Sequence, residues 1–307
     1  MFIFMVMNYR QIDLNDWELQ GEGAFGESYF SKTDSSIMLK LIKSGRNKDD
    51  FITEYENSRK IASVGFKTPA AIEMVEEPQS GRLGIIYEKV QEKVSFTRMI
   101  HDNPSDLPRI AQIHAEEAKK FHGINCDPSQ FLCYKDSIRE AIPRLFTFRK
   151  YKVILKAALE LVPDSHGCLQ HDFQPGNIVH SNKTGENYWI DMGDFGYGHY
   201  LFDIAILYMF TQILCKKKGL QQIFHMTEQQ LRDYWVEFTA AYFGRAIQPD
   251  EMFGKKIRLY LALVVTIKYH MIPAPGPIKY IILNVMLKNA LKGISLDNVA
   301  DIMAAVV

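Results

Sequence analysis

The chain has 307 residues, 47% hydrophobic and 23% charged, which allows a substantial buried core and excludes a disordered polymer. Its 36 Lys plus Arg balance 36 Asp plus Glu, so no global charge field selects a nucleic acid or a membrane as partner, although local patches stay open. Cys126, Cys133, Cys168 and Cys215 form no CxxC pair and meet no histidine at zinc-finger spacing, which points to reduced thiols in a cytoplasmic protein.

In chain order, the opening MFIFMVMN is apolar, too short to span a bilayer and without a basic leader, and it reads as a first strand. Residues 17 to about 90 read as strands with one helix. The segment WELQGEGAFGESYFSKTDSSIMLKLIK alternates apolar runs with a glycine cluster and the turn at 32–36. Asp49-Asp50 predicts the cap of a helix through FITEYENSRKIASV that stops at Gly65, and Pro69 bars its continuation. AAIEMVEE and GRLGIIYEKV follow as two strands joined by a turn at Pro78–Gly81. From residue 95, helical patterns cover 108–122, 136–160, 203–217, 227–243, 251–269 and 278–293, interrupted by a strand-like stretch at 168–191. LYLALVVTI, at 259–267, is too short for a membrane helix and reads as a buried core helix. These elements predict an α+β chain. A mainly antiparallel β lobe with one helix occupies 1–90, and a helical lobe carrying a β-hairpin occupies 91–307.

Gly21, Gly23 and Gly26 have GxGxxG spacing. They lead from strand to turn to strand, so they sit at a hairpin tip rather than opening a helix. Backbone N–H groups at such a tip can lie close over a triphosphate. A glycine-rich hairpin without ligand is the bland alternative. Lys40, on the next strand among apolar neighbours, is costly inside unless it meets an anion. Glu54 on the following helix is the best partner, with Glu56 as competitor and Lys43 as a weaker rival to Lys40. The bland alternative here is an edge lysine with its head in solvent.

The most informative stretch is CLQHDFQPGNIVHSNKTGENYWIDMGD at 168–194. Pro175-Gly176 favours a tight turn, and NIVHS and NYWID are short β segments joined by a polar loop. Such a hairpin brings Asn177 and Asp191 together, and an amide oxygen beside a carboxylate suits Mg²⁺. Asp172, just before the hairpin, can face an acceptor hydroxyl as base or orienting group.

With these segments in order, the chain resembles the aminoglycoside phosphotransferase and choline kinase superfamily, the small-molecule branch of the protein-kinase-like fold. Members typically show HGDxHPGN, IDxGD and then G…DLA, where this chain has QHDFQPGN, IDMGD and GHYLFDIA. The resemblance runs from about residue 17 to 210 and implies an ATP- and Mg²⁺-dependent transfer of the γ-phosphate to a hydroxyl of a small molecule. It further implies that Asp172 is the catalytic aspartate, that Asn177 and Asp191 are magnesium ligands, and that Lys40 and Glu54 form the phosphate-binding pair. Tyr87 to Val90 would be the hinge, with the backbone of Glu88 and Val90 meeting adenine, and Asp203 would brace the catalytic loop. Asp194 receives no role. Three positions depart from the pattern. Gln170 stands for the usual His and can imitate its hydrogen bonding to the loop backbone. His171 stands for Gly and restricts the loop, and Gln174 stands for a common His.

Two other functions compete. A protein kinase is disfavoured, because the short run from Asp191 to Asp203 leaves little room for an activation segment and no APE-like stretch appears. A non-catalytic nucleotide-binding module is kept open by Gln170 and His171. His114 and His122, two turns apart on one helix, read as ordinary helix-face positions. Residues 211–307 carry twelve Lys or Arg against seven Asp or Glu, which tilts the acceptor toward a neutral or anionic compound rather than a polycationic aminoglycoside.

Overall fold

A computed structural model describes residues 9–22, 26–269 and 274–307. The opening strand expected at MFIFMVMN lies outside the described residues, as does Gly23. The described chain divides into two compact units. The first comprises 1–94 with 179–193, and the second 95–178 with 194–307, so part of the stretch expected to follow residue 91 in the helical lobe belongs to the first unit.

The first unit is built on a six-stranded sheet of β1 (Arg10–Gln11), β2 (Trp17–Glu22), β3 (Gly26–Ser31), β4 (Ile37–Ile42), β5 (Ala71–Glu77) and β6 (Arg82–Glu88), in the order β1-β5-β6-β4-β3-β2. Every pairing is antiparallel except β1 with β5. Alternation along β4 sorts its residues by face. Leu39 and Leu41 pack with Ile12, Trp17, Val75 and Ile86. Ile42 packs on the other face with Phe51 of helix α1 (Lys48–Ile61), together with Met74, Leu83 and Ile85. Lys40 shares the parity of Ile42 and therefore points to the α1 face. The cap of α1 corrects the sequence expectation. Asn47 rather than Asp49-Asp50 is the N-cap, its Oδ1 accepting from Asp49 N–H at 3.0 Å. The strands Ile178–Ser181 and Asn187–Trp189 form the expected hairpin, which adds the short strand Lys93–Ser95 as a third member.

The second unit is mainly helical. Helices α2 (Phe96–Asp102), α3 (Leu107–His122), α4 (Tyr134–Arg144) and α5 (Arg149–Glu160) precede the catalytic stretch. Helices α6 (Leu201–Tyr208), α7 (Lys218–Phe224), α8 (Glu228–Phe243), α9 (Met252–Lys268), α10 (Gly276–Ala290) and α11 (Val299–Ala304) follow it. The run expected as one helix at 136–160 is two, because the chain turns to extended backbone at Leu145 and Phe148 just after Pro143. The run at 203–217 stops being α-helical at Tyr208 and continues as a π turn and then a tighter turn. LYLALVVTI lies in α9, buried along its whole length from Leu259 to Val265. Helix α3 packs on α8, and α6 packs on α9. A small three-stranded sheet orders Leu132–Cys133, Gly196–Tyr197 and Cys168–Leu169, so Leu169 delivers the chain to Gln170, His171 and Asp172 from a fixed strand.

Candidate active site

In the first unit, Lys40 Nζ lies 2.6 Å from Glu54 Oε1 and 3.1 Å from Asp191 Oδ1. The Tyr87 hydroxyl donates to the same Glu54 oxygen at 3.2 Å and lies 3.3 Å from Ser58 Oγ. Burial of Lys40 works against its charge, but Asp191 and then Glu54 outweigh it, and the ammonium is held well above its ordinary pKa. Burial, reinforced by Glu54, pushes the Tyr87 phenol up as well. The cluster therefore fixes one permanent cation with its partly buried stem between two carboxylates. Asp191 is the open member: its side chain is 54% exposed, and its φ of 58° is left-handed. Glu56, the competitor for Lys40, is exposed on α1. Lys43 lies beyond β4 and acts on Glu27.

Gly26 pairs with Ile42 at the start of β3. A Cβ there would stand 3.0 Å from the Leu41 carbonyl and 3.3 Å from Lys40 Cγ, so the absence of a side chain lets the strand close over the lysine stem. Gly21 has open space where a Cβ would be. At the end of β6, Glu88 N–H donates to the Ala70 carbonyl at 2.9 Å and Lys89 N–H to the Ser36 carbonyl at 2.8 Å. Val90 follows and is buried.

In the second unit, Asp172 sits in a loop held from below. Asp203, fully buried in the first turn of α6, accepts the N–H of Gln170 at 2.8 Å and that of His171 at 2.9 Å. His122 Nε2 lies 3.3 Å from the Asp203 carboxylate and its Nδ1 2.8 Å from the Tyr242 hydroxyl. A buried carboxylate is tolerable because these donors replace water. Phe173 is buried against His114 and His122, with ring centroids at 4.7 and 5.5 Å. Gln174 caps the next turn, its Oε1 accepting from Gly176 N–H at 2.7 Å. That turn aims the Asn177 amide back at Asp172, with Nδ2 donating to the Asp172 carboxylate at 2.8 Å and to its carbonyl at 2.9 Å. The donor end of Asn177 is thus spent on Asp172, which leaves the amide oxygen as the end suited to a cation. Asn177 and Asp191 bracket the hairpin, Asn177 in the second unit and Asp191 in the first.

Comparison with known proteins decides the family. The chain matches the family model described as the phosphotransferase enzyme family over residues 18–234. The chain belongs to this phosphotransferase family. No curated protein matches it. Among solved structures, the gentamicin complex of APH(2")-IIa is similar at 15% identity and TM-score 0.53, covering 95% of this chain and 92% of that one. The GDP and kanamycin complex of APH(2")-IIia is similar at 14% identity and TM-score 0.53, covering 92% and 95%. The aminoglycoside phosphotransferase APH(3'')-Id from Streptomyces rimosus, with ADP and streptomycin, is similar at 15% identity and TM-score 0.50, covering 81% and 92%. These likenesses establish the fold, which is the bilobal α+β fold of the protein-kinase-like phosphotransferases.

Within the phosphotransferase family pattern, the departure at His171 has a geometric explanation. Its φ is 63°, a left-handed conformation that glycine adopts freely and other residues seldom do. Here the imidazole is buried and stacks on Tyr134 with centroids 3.6 Å apart. Burial, with Lys268 as a lesser influence, holds His171 well below the ordinary imidazole pKa. The Tyr134 hydroxyl donates in turn to the Asp194 carbonyl, and the Asp194 carboxylate pairs with Lys268. The sequence assigns Asp194 no role and His122 only an ordinary helix-face position. The partners of both lie far away in sequence, and the polar pattern of α3 carries no local mark of Asp203.

Proposed function

We propose that this chain is an ATP-dependent, Mg²⁺-dependent phosphotransferase that moves the γ-phosphoryl group to a hydroxyl of a small molecule. The observation that carries it is the Lys40 cluster, a permanent cation fixed by Glu54 at 2.6 Å and Asp191 at 3.1 Å within a chain of the phosphotransferase family. Phosphoryl transfer asks the protein mainly to position charge, and a pre-fixed ammonium binds phosphate oxygens without having to be ordered first. In this reading Lys40 holds the phosphates, and Gly21 and Gly26 let the hairpin backbone approach them. The Glu88 carbonyl and Val90 N–H are assigned to adenine. Asp172, held by Asn177, accepts the proton of the acceptor hydroxyl as its oxygen forms the new bond to phosphorus and the bond to the ADP oxygen breaks. Asn177 and Asp191 fit a magnesium ion in donor type, since each offers a hard oxygen, and Mg²⁺ bound there would neutralise charge on the phosphate oxygens.

The acceptor proposed is a neutral or anionic hydroxyl compound. The acids of residues 211–307 are few and scattered beside twelve basic residues, a poor setting for a polycation. Kanamycin-type aminoglycosides are accordingly expected to be poor acceptors. The test is ADP or GDP release from either nucleotide against a panel of amino alcohols, sugars, nucleosides and aminoglycosides. Asp172→Asn should keep nucleotide binding and lose transfer by roughly 10²–10⁴-fold. Near wild-type turnover in that variant would remove Asp172 from the role. Thermal stabilisation by Mg²⁺–ATP should shrink in Asp191→Ala, and equal stabilisation would remove Asp191 as a ligand.

A further inference from the structure

Phe146 and Thr147, in the turn between α4 and α5, meet helix α10 on the surface of the second unit. Thr147 Oγ1 lies 2.7 Å from Asn284 Oδ1, Asn284 Nδ2 donates to the Phe146 carbonyl at 3.3 Å, and the rings of Phe146 and Tyr280 lie 4.9 Å apart. Helix α10 is apolar on two faces. Leu283, Leu287 and Ala290 are buried. Ile278, Ile281 and Val285, at spacings of three and four, form an opposite stripe with exposures of 47%, 64% and 52%. Phe146, whose ring meets Tyr280 of the same helix, is 70% exposed, and Phe148, two residues further along the chain, is 63% exposed. A helix apolar on opposite faces has a second neighbour when it is at work, and a contiguous exposed patch of large side chains marks an interaction surface.

Charge selects the neighbour. Residues 143–156 contain Arg144, Arg149, Lys150, Lys152 and Lys156, and residues 276–293 contain Lys279, Lys288 and Lys292, with no Asp or Glu in either stretch. Lys152 spends its ammonium on the Pro143 carbonyl, which leaves its charge uncompensated. Among the described residues no ion pair engages Arg144, Arg149, Lys150 or Lys288. Such a surface meets a second copy of itself cation to cation, which disfavours self-association. A nucleic acid would satisfy the cations and leave the aliphatic stripe in water. An acidic lipid surface satisfies both parts: apolar side chains enter the headgroup boundary while Lys and Arg stems reach out to the anionic groups. No helix among the described residues is long and apolar enough to cross a membrane, so the contact is peripheral.

We propose that the face formed by 143–156 and α10 docks on an anionic phospholipid bilayer. The test is co-sedimentation of the full chain with vesicles of phosphatidylcholine alone and of phosphatidylcholine mixed with phosphatidylserine. The chain should pellet with the mixed vesicles only, and salt near 1 M, where the screening length falls to about 3 Å, should release it. Reversing Arg149 and Lys150 to Glu is expected to lower partitioning by about tenfold or more. Ile281→Ser with Phe148→Ser should weaken it independently, with an unchanged melting temperature showing that these exposed positions leave the fold intact. Equal pelleting on phosphatidylcholine alone, retention indifferent to salt and to both variant pairs, or no pelleting at all would overturn the proposal. So would a concentration-dependent dimer that the same substitutions abolish, since the face would then belong to a second copy.

Discussion

Replacing Lys40 with methionine removes one charge while keeping most of the stem that packs beneath Gly26, so Glu54 should set its cost. The Glu54 side chain is 15% exposed, and without Nζ at 2.6 Å it keeps the Tyr87 hydroxyl at 3.2 Å as its remaining close donor. Breaking a buried pair by removing one partner costs roughly 3–5 kcal/mol. Residual solvent at Glu54 and the open position of Asp191 put Lys40→Met at the low end, about 3 kcal/mol. Glu54→Gln should cost less, about 1–2 kcal/mol, because Lys40 keeps Asp191 at 3.1 Å and the amide still accepts from Tyr87. The double variant removes both charges and should fall short of the sum of the single costs by roughly 1–3 kcal/mol. Urea unfolding read by tryptophan fluorescence measures this, since Trp17 and Trp189 report the first unit and Trp235→Phe silences the second. The raised pKa of Lys40 also fixes a sign. A raised lysine stabilises the fold fully below its unfolded value near 10.4, and that contribution fades only as pH climbs through the folded value. The lysine contribution to the Lys40→Met penalty should therefore be flat from about pH 6 to about pH 9. Additive single costs, or a Lys40→Met penalty under about 0.5 kcal/mol, would refute the pairing as an energetic unit.

Asp203→Asn should destabilise the second unit by about 2–4 kcal/mol, because an amide offers one acceptor oxygen where two backbone N–H groups now converge, and chemical unfolding followed at Trp235 reads it. At His171, Gly should be more stable than Ala by about 1 kcal/mol, since both lose the stack on Tyr134 but only Ala keeps a Cβ at positive φ; an Ala variant as stable as Gly would deny the left-handed strain. Burial depresses His114 to about 3 and His199 to about 4, so the folded chain binds fewer protons than the unfolded one. Stability from these two groups is complete above the unfolded value near 6.5 and is lost as pH falls, by up to about 1.4 kcal/mol per pH unit for each. His114→Phe should make that acid slope shallower by one proton between about pH 6 and about pH 4.5, and an unchanged slope would acquit His114.

What was legible in the sequence was local. The alternation Leu39-Lys40-Leu41-Ile42 already assigns Lys40 to one face of its strand, and the choice of Glu54 over Glu56 follows from helix geometry, since two residues turn a side chain by about 200°. The hairpin at 178–189 is readable because turn residues separate two short β-prone runs. Long-range pairings were not readable. His122 and Asp203 meet across two helices, and Asp194 meets Lys268 of α9 from far upstream. Helix punctuation failed where two signals competed. The acidic pair Asp49-Asp50 carries the same capping signal as Asn47, and the helical pattern on both sides of Pro143 masks the extended turn between α4 and α5.

The departures at Gln170 and His171 bear on whether the chain is a working enzyme, and the loop geometry weakens the case that they disable it. Asp203 grips the backbone N–H groups of these two residues, not their side chains, so the brace survives any residue whose side chain fits. Histidine at a left-handed position costs of order 1 kcal/mol that glycine would not, and this chain offsets it by laying the ring on Tyr134. Tyr134 is itself tied to the Asp194 carbonyl, and Asp194 to Lys268, so the exchange of glycine for histidine adds a lateral tether to a loop already held from below. With that loop held on two sides, the Asn177 amide closes on the Asp172 carboxylate at 2.8 Å, which favours transfer over a purely nucleotide-holding role.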